Sequence, residues 1–290
     1  MREAAKGCGL DIQVETVSSP PDADDVFDAA LPVIDIGDGA YLPGCPAEAG
    51  ARLALASLEY AAQLAIDGGV DAIATAPVAK SLLSKVGFAF PGQTEFLASA
   101  CGMPAENAVM MLAGPQLRAI PLTVHCALSQ VAGQLSVDLI RGRAAIAAAS
   151  LQRDFGIGHP RIAVAGLNPH AGEDGKFGDE EKRIIAPAIA ALQQDGIDAT
   201  GPHPADALFA PHKRADYDVA LCMYHDQALI PVKTLDFDQG VNVTLGLPII
   251  RTSPDHGTAF DIAGKNIADP GAMIAAITMA GECAARRANG

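Results

Sequence analysis

The segment Arg161-Ile-Ala-Val-Ala-Gly166 is a short apolar run, and a helical pattern follows it at Asp179–Gln193 after the polar loop Asn168–Gly178. A buried strand, a loop and a helix in this order are the repeating unit of an α/β fold. The same alternation extends in both directions along the chain. The predicted strands are Asp11–Val17, Pro32–Ile36, Val70–Ala74, Ala108–Leu112, Arg118–Val124, Arg161–Gly166, Asp218–Met223 and Val241–Leu245. The predicted helices are Ala47–Ile66, Thr94–Cys101, Val137–Phe155, Asp179–Gln193, Gly257–Gly264 and Gly271–Arg287. The pattern predicts an α/β sandwich around a largely parallel sheet.

The composition supports a full core and excludes some classes of partner. Of 290 residues, 50% are hydrophobic and 19% are charged, and the formal net charge is −14. A chain of this length should form one large or two medium domains. The strong negative charge argues against nucleic acid as a partner. An acidic protein that binds an acidic metabolite must concentrate positive charge locally, through a metal, a few Lys or Arg side chains, or helix N-termini.

The six cysteines lie apart from one another without a C-x-x-C pair, which is typical of reduced thiols in a cytoplasmic protein. Cys126 follows His125, and Cys222 lies three residues before His225, so a thiolate ligand is conceivable. We favour simple packing, because free Cys is among the most buried residue types. The sequence shows no targeting segment and no apolar run long enough to span a membrane, so we expect a cytoplasmic protein.

Three histidines, His125, His170 and His225, stand at or just beyond the ends of predicted strands. In open α/β sheets the carboxyl ends of strands form the crevice where ligands bind. Three neutral imidazoles could hold a divalent metal and leave positions free for substrate. A single histidine at a strand end is more often a hydrogen-bonded structural residue. The residues alone therefore make a metal site one of two open interpretations.

The glycine-rich loop Asn168–Gly178 also has two interpretations. Its glycines allow a close approach of the backbone, so an anion could bind the N–H groups ahead of the next helix. Alternatively, it is a flexible turn before an acidic helix start at Asp179, which would repel anions.

The stretch Tyr224–Gly257 holds Lys233, Asn242 and Arg251, which could together form an anion pocket near His225. Ordinary surface salt bridges are the alternative for the two cations.

Two further residues could contribute to this candidate site. Asp226 could orient an imidazole or a substrate group. His256, at the start of the predicted helix Gly257–Gly264, could contact a cofactor phosphate or only cap that helix. No G-x-G-x-x-G follows a strand, so a dinucleotide would have to bind by another architecture.

Six segments, in order along the chain, carry a family resemblance: Pro91-Gly-Gln-Thr-Glu-Phe96, Gly166-Leu-Asn-Pro-His-Ala-Gly-Glu173, Gly201-Pro-His-Pro-Ala-Asp206, Met223-Tyr-His-Asp-Gln227, Gly240-Val-Asn-Val-Thr-Leu-Gly-Leu-Pro248 and Arg251-Thr-Ser-Pro-Asp-His-Gly-Thr258. Together they resemble the 4-hydroxythreonine-4-phosphate dehydrogenase (PdxA) family of vitamin B6 biosynthesis. The resemblance implies a two-domain α/β/α sandwich of the isocitrate and isopropylmalate dehydrogenase type. We assign residues 1–92 plus 235–290 to a first domain on the cofactor side. Residues 93–234 then form a second domain on the metal and dimer side.

The resemblance also implies the site. The family's three metal ligands fall on His125, His170 and His225, with one ligand donated across a homodimer. Its substrate contacts fall on Gln93, Thr94, Lys233, Asn242 and Arg251. We assign Lys233 and Asp226 to catalysis and His256 and Gly257 to cofactor binding. The implied cofactors are NAD or NADP and one divalent ion (Zn, Mg or Co).

The implied reaction is the oxidation and decarboxylation of 4-phosphohydroxy-L-threonine to 1-amino-3-phosphohydroxypropan-2-one in pyridoxal phosphate biosynthesis. The chain departs from the family in two places. Gln93 stands where the family usually has His, and the usual N-terminal strand and Gly-Asp-Pro-Ala-Gly-Ile-Gly-Pro-Glu type loop are missing. We expect a late recorded start; a shortened, inactive paralogue is the alternative.

Two other activities remain open. One is a related dehydrogenase of another phosphorylated sugar acid or of a dihydrodiol carboxylate. The other is a phosphate acyltransferase, which shares the broader fold without needing the three histidines.

Overall fold

The structure is a computed structural model that describes residues 1–40 and 42–289. The strands in these residues are β1 (Val14–Val17), β2 (Leu31–Ile34), β3 (Ala72–Ala74), β4 (Val109–Ala113), β5 (Arg118–Thr123), β6 (Arg161–Ala165), β7 (Asp198–His203), β8 (Val219–Tyr224), β9 (Val241–Leu245) and β10 (Ile250–Pro254). The helices are α1 (Arg2–Gly7), α2 (Glu48–Ile66), α3 (Lys80–Leu83), α4 (Gln93–Ala100), α5 (Val131–Gln134), α6 (Val137–Phe155), α7 (Ala186–Gln194), α8 (Ala205–Leu208), α9 (His225–Asp236) and α10 (Gly271–Asn289).

The main sheet is mixed, with the strand order β3-β10-β9-β4-β5-β8-β6-β7, while β1 and β2 form a separate parallel pair. Strands β5, β8, β6 and β7 are parallel, as expected. Between β10 and β5 all pairs are antiparallel, so a largely parallel sheet was wrong for this half. Short connections explain two of these pairs, β4 with β5 and β9 with β10, because a short loop can join only antiparallel neighbours. Residues 114–117 join β4 to β5, closed by a 2.9 Å hydrogen bond from Gly114 N to Leu117 O.

All eight predicted strands form, with small shifts at their ends, and two more strands were missed. Strand β10 was not predicted because its buried residues Arg251, Thr252 and Ser253 are polar. Strand β7 contains Gly201 and Pro202, which sequence patterns treat as strand breakers. Proline is tolerated there because β7 is the last strand of the sheet.

Four predicted helices form as α2, α4, α6 and α10, and the pattern Asp179–Gln193 becomes a π-helical segment Glu181–Ile185 that continues into α7. The predicted helix Gly257–Gly264 is wrong, so His256 does not open a helix. Its residues form a loop with one short turn at Phe260–Ile262, and Ala259 takes a left-handed conformation with φ 46°. Helix α9 was missed because Pro231 interrupts its helical pattern.

Helices cover both faces of the sheet, which gives the predicted α/β/α layers. Alternate residues of β8 enter two separate cores, since side chains of a strand point to opposite faces. Val219, Leu221 and Met223 pack with α6, α7 and α10, while Ala220 and Cys222 pack with α8 and α9. The division into residues 1–92 plus 235–290 and residues 93–234 stays a prediction.

The parallel strands β5, β8 and β6 end at one edge of the sheet. His125 follows β5, His170 follows β6, and His225 begins α9 directly after β8. Gln227 links the ends of β8 and β6 through two hydrogen bonds. Its Oε1 accepts a 2.6 Å hydrogen bond from Met223 N, and its Nε2 donates to Gly166 O at 2.8 Å.

Candidate active site

A cleft of about 730 Å³ opens at this edge of the sheet. It is lined by most of the predicted site residues: Gln93, Thr94, His125, His225, Lys233, Asn242, Arg251, His256 and Gly257. These side chains come from strands β9 and β10, from loop residues, from the first turn of α4 and from both ends of α9. The fold thus brings together residues that are far apart in sequence.

His125 and His225 form a pair within the cleft, with ring centroids 6.2 Å apart. Two imidazoles on one zinc ion have centroids about 5–6 Å apart, given Zn–N bonds of about 2.0–2.1 Å. The pair therefore lies slightly beyond this separation, and a small movement of either ring would bring the two within it.

Asp226 contacts the imidazole of His225 directly. Its Oδ1 lies 2.7 Å from Nδ1 of His225. With Nδ1 hydrogen-bonded to a carboxylate, Nε2 keeps its lone pair free for a metal ion, as in many carboxylate–histidine–metal sites. Asp226 acts here on the imidazole; it is not among the residues that line the cleft.

His170 lies apart from this pair. It is exposed on the loop after β6, where its ring lies 6.2 Å from that of Phe177 at an interplanar angle of 48°, and it does not line the cleft. Across residues 1–40 and 42–289, no cluster of three His, Cys, Asp or Glu side chains is arranged to hold a metal. A single copy of the chain therefore supplies two of the three predicted metal ligands at one place.

Arg251 lies on β10 at the base of the cleft and is only 5% exposed. Its guanidinium donates to Thr75 Oγ1 at 2.8 and 3.1 Å, Thr244 Oγ1 at 3.2 Å and Gln93 Oε1 at 3.0 Å. All these partners are neutral, so burial lowers the pKa of Arg251 to about 10. The group still carries its charge at neutral pH, and a buried cation without a carboxylate is suited to binding an anion.

The side chain of Asn242, on the neighbouring strand β9, also indicates ligand binding. Its Oδ1 is buried and has no hydrogen-bond partner in the described structure. A buried acceptor without a donor costs free energy, so such an atom in a cleft is expected to receive a donor from a ligand.

A second groove of about 910 Å³ adjoins the cleft. The loop after β10 and the N-terminal end of α10 form one side of it. The groove and the cleft share five lining residues: Pro77, Lys233, Asp255, His256 and Gly257. Its size and mixed lining fit an elongated cofactor, with Lys233 at the junction of the two cavities.

The model of the pyridoxal phosphate biosynthetic protein PdxA family matches residues 1–280. The chain is also 65% identical to the 4-hydroxythreonine-4-phosphate dehydrogenase of Erythrobacter litoralis, over all of this chain and 86% of that protein. The chain belongs to the PdxA family.

Solved structures of PdxA relatives agree with this membership. The crystal structure of 4-hydroxythreonine-4-phosphate dehydrogenase from Klebsiella pneumoniae superposes with a TM-score of 0.87 at 40% identity, covering 98% of this chain and 85% of the other. A terephthalate 1,2-cis-dihydrodiol dehydrogenase from Burkholderia xenovorans gives 0.65 at 33% identity, covering 93% and 82%. The predicted α/β fold class is confirmed, and the fold is that of these two dehydrogenases.

In this PdxA family member, Lys233 has a partner that the sequence did not reveal. Its Nζ lies 2.9 Å from Asp255 Oδ2 and donates to the backbone oxygen of Asp255 at 3.1 Å. The carboxylate fixes the ammonium where the cleft meets the groove. Asp255 stands inside the motif from Arg251 to Thr258, and that position was the available signal.

Other residues that line or support the PdxA site were also missed. Lys80 and Arg143 line the cleft, and Thr75 holds the guanidinium of Arg251. Arg143 lies on α6, and it donates to the backbone oxygen of Ala108 at 3.1 Å. No motif in the sequence links these residues to the site, because only the folded sheet brings them to it.

Two sequence-based alternatives can now be decided. Burial raises the pKa of the Cys222 thiol, so this residue packs in the core as expected and is not a thiolate ligand. The loop after β6 was expected to bind an anion or to be a flexible turn. Instead, its backbone N–H groups at Leu167 and Asn168 bind the carboxylate of Glu181.

Gln93, the departure from the usual PdxA residue, contacts Arg251 directly. Its Nε2 donates to Ala76 O at 3.2 Å, which orients Oε1 towards the guanidinium. A carboxylate here would neutralise Arg251 and compete with a substrate anion. We expect Gln93→Glu to raise KM about 10–100-fold, equivalent to about 1.5–3 kcal/mol, with a smaller effect on kcat.

Gln93→His is the matched control for this prediction, since it restores the usual family residue, and it should change KM much less than Gln93→Glu. Steady-state kinetics at constant pH measure both variants. An unchanged KM in Gln93→Glu would show that Arg251 does not bind the substrate.

Proposed function

We propose that this PdxA family member catalyses the NAD- and metal-dependent oxidation and decarboxylation of 4-phosphohydroxy-L-threonine to 1-amino-3-phosphohydroxypropan-2-one. The observation that carries the proposal is Arg251, a buried cation with neutral partners only, in the same cleft as the pair His125 and His225. Such a cation needs an anion, and a phosphorylated hydroxy acid supplies one at either end. The alternative is a related dehydrogenase acting on a dihydrodiol carboxylate.

We propose that Thr94, Lys233, Asn242 and Arg251 bind the substrate. The fork of Arg251 would bind one anionic group, and the unpartnered Oδ1 of Asn242 would accept a hydrogen bond from a substrate donor. Thr94 lies on the first turn of α4, beside Gln93, and its hydroxyl would add a further donor.

The donor set fits a divalent ion. His125 and His225 lie side by side, and Asp226 leaves the Nε2 of His225 available. We propose that the third ligand, His170, comes from a second copy of the chain, so that the enzyme is a homodimer with its site at the interface. The exposed ring of His170 and the half-exposed Phe177 beside it would then lie at that interface.

The groove next to the cleft would hold NAD, with His256 and Gly257 at the boundary. When bound, NAD would accept a hydride from C3 and the metal would stabilise charge on the C3 oxygen. Lys233 lines both cavities, and we assign to the ammonium at its Nζ the donation of a proton to the substrate carbon that carbon dioxide leaves, while the proton of the reacting hydroxyl would pass to water. Asp255 would keep that nitrogen in place through their 2.9 Å ion pair.

We further propose a cytoplasmic location, as expected from the sequence. None of the helices in the described residues combines the length and the hydropathy that a transmembrane helix needs.

The test is NADH formation with 4-phosphohydroxy-L-threonine, measured by absorbance before and after a chelator. We expect activity to disappear on chelation and to return with Zn²⁺, Mg²⁺ or Co²⁺. The controls are NADP in place of NAD, and a terephthalate dihydrodiol in place of the substrate. Full activity in chelator, or turnover of the dihydrodiol alone, would contradict the proposal.

A further inference from the structure

The loop that carries His170 has an unusual backbone. Five consecutive residues take left-handed conformations, with φ values of 54°, 51°, 79°, 40° and 58° for His170, Ala171, Gly172, Glu173 and Asp174. Each non-glycine residue in this region costs about 1–2 kcal/mol. Such a run persists only where the surrounding structure holds it.

The carboxylate of Glu181 holds the start of this loop. Its Oε1 accepts hydrogen bonds from Leu167 N at 2.8 Å and Asn168 N at 2.7 Å, and its Oε2 accepts one from Asn168 Nδ2 at 3.0 Å. Glu181 is only 5% exposed, although these partners are neutral. A buried carboxylate is costly unless N–H donors surround it, so the loop and the carboxylate depend on each other.

Two glycines lie close to this carboxylate, one after the end of β6 and one in the left-handed turn. A Cβ on Gly172 would lie 2.7 Å from Glu181 Oε2, and a Cβ on Gly166 would lie 3.3 Å from Oε1. The left-handed turn and the strand end therefore both contact the same side chain. Glu181 also begins the π-helical segment Glu181–Ile185, and such segments are frequent at functional sites.

We propose that Glu181 is a positioning residue that presents His170 for metal binding across the dimer, an inference that rests on the proposed role of His170. Glu181 does not itself contact the ion. It binds the three N–H groups at the start of the loop and fills the space beside Gly172, so that the left-handed turn keeps one conformation. Without it, His170 would sample other positions, and the metal would bind more weakly.

The test compares Glu181→Gln and Glu181→Ala with the matched control Glu180→Gln. Glu180 is the adjacent carboxylate; it accepts a hydrogen bond from Asn168 Nδ2 at 2.7 Å and lies beside Gly178, but the backbone N–H groups of Leu167 and Asn168 donate to Glu181. Zn²⁺ binding to the metal-free full-length protein is measured by calorimetry, and thermal unfolding is measured without metal. Glu181→Ala should weaken Zn²⁺ binding about 10–100-fold, as is usual for residues that orient a metal ligand, and Glu180→Gln about twofold at most.

Glu181→Gln keeps the side-chain shape, so it tests the inference even if the Ala variant does not fold. It should weaken Zn²⁺ binding by an intermediate amount, because an amide can accept from the backbone N–H groups with one oxygen only. A lower melting temperature in both Glu181 variants with unchanged Zn²⁺ affinity would overturn the inference, since that is the result of a purely structural role.

His170→Ala is measured in parallel to separate the two proposals. If His170→Ala binds Zn²⁺ as tightly as the wild type, the proposed metal site fails. If His170→Ala loses affinity while both Glu181 variants keep it, only the positioning role of Glu181 fails.

Discussion

Arg251→Met is expected to lower kcat/KM for 4-phosphohydroxy-L-threonine about a thousandfold, while the protein stays folded. The guanidinium is the most buried cation of the cleft, and its neutral partners leave its charge available to the substrate. Two charge-assisted hydrogen bonds to a substrate anion are worth about 4 kcal/mol, which corresponds to this factor. Steady-state kinetics with saturating NAD measure the loss.

The stability of the same variant should change in the opposite direction. Burial lowers the pKa of Arg251 from its usual range to about 10, so the folded chain binds this proton less tightly than the unfolded chain does. The charged side chain therefore destabilises the fold at neutral pH. This cost is relieved only as the pH rises above about 10.

Methionine fills a similar volume without the charge, so the melting temperature of Arg251→Met should equal or exceed that of the wild type. Arg251→Lys is the control, since it keeps the charge and loses the planar fork; it should retain part of the activity. Wild-type kcat/KM in Arg251→Met would remove the observation on which the proposed function depends.

The second prediction with a large expected effect concerns the activity of hybrid dimers, in which the two copies of the chain carry different substitutions. His170→Ala and His225→Ala should each lose at least about a thousandfold in activity as pure dimers, because each removes one of the proposed metal ligands from both sites. A hybrid dimer with one copy of each variant should recover about half of the wild-type activity, since one of its two sites keeps all three histidines. Co-expression with two affinity tags, followed by sequential purification, isolates the hybrid for assay.

The matched control pairs His125→Ala with His225→Ala. These two rings lie together in one copy of the chain, so each site of that hybrid lacks one ligand and the hybrid should stay inactive. Recovery in the control pair, or no recovery in the His170 pair, would refute the assignment of His170 to the partner copy.

The site was predictable to different degrees for different residues. The strand ends before His125, His170 and His225 were predictable, because buried strands in this sequence are apolar runs with clear ends. The helix α9 was not predictable, and neither was its start at His225, because Pro231 interrupts the helical pattern. The ion pair of Lys233 with Asp255 joins residues 22 apart, and no local rule predicts it.

The sequence by itself determined the α/β alternation, the parallel half of the sheet and the motifs of the PdxA family. Each of these is encoded locally, in side-chain periodicity and in short runs of residues. Only the tertiary structure decided that Arg251 is a buried cation with neutral partners, and that His125 and His225 meet while His170 stands apart. Those properties depend on which strands become neighbours, and strand order is set by packing and connection length across the whole sheet.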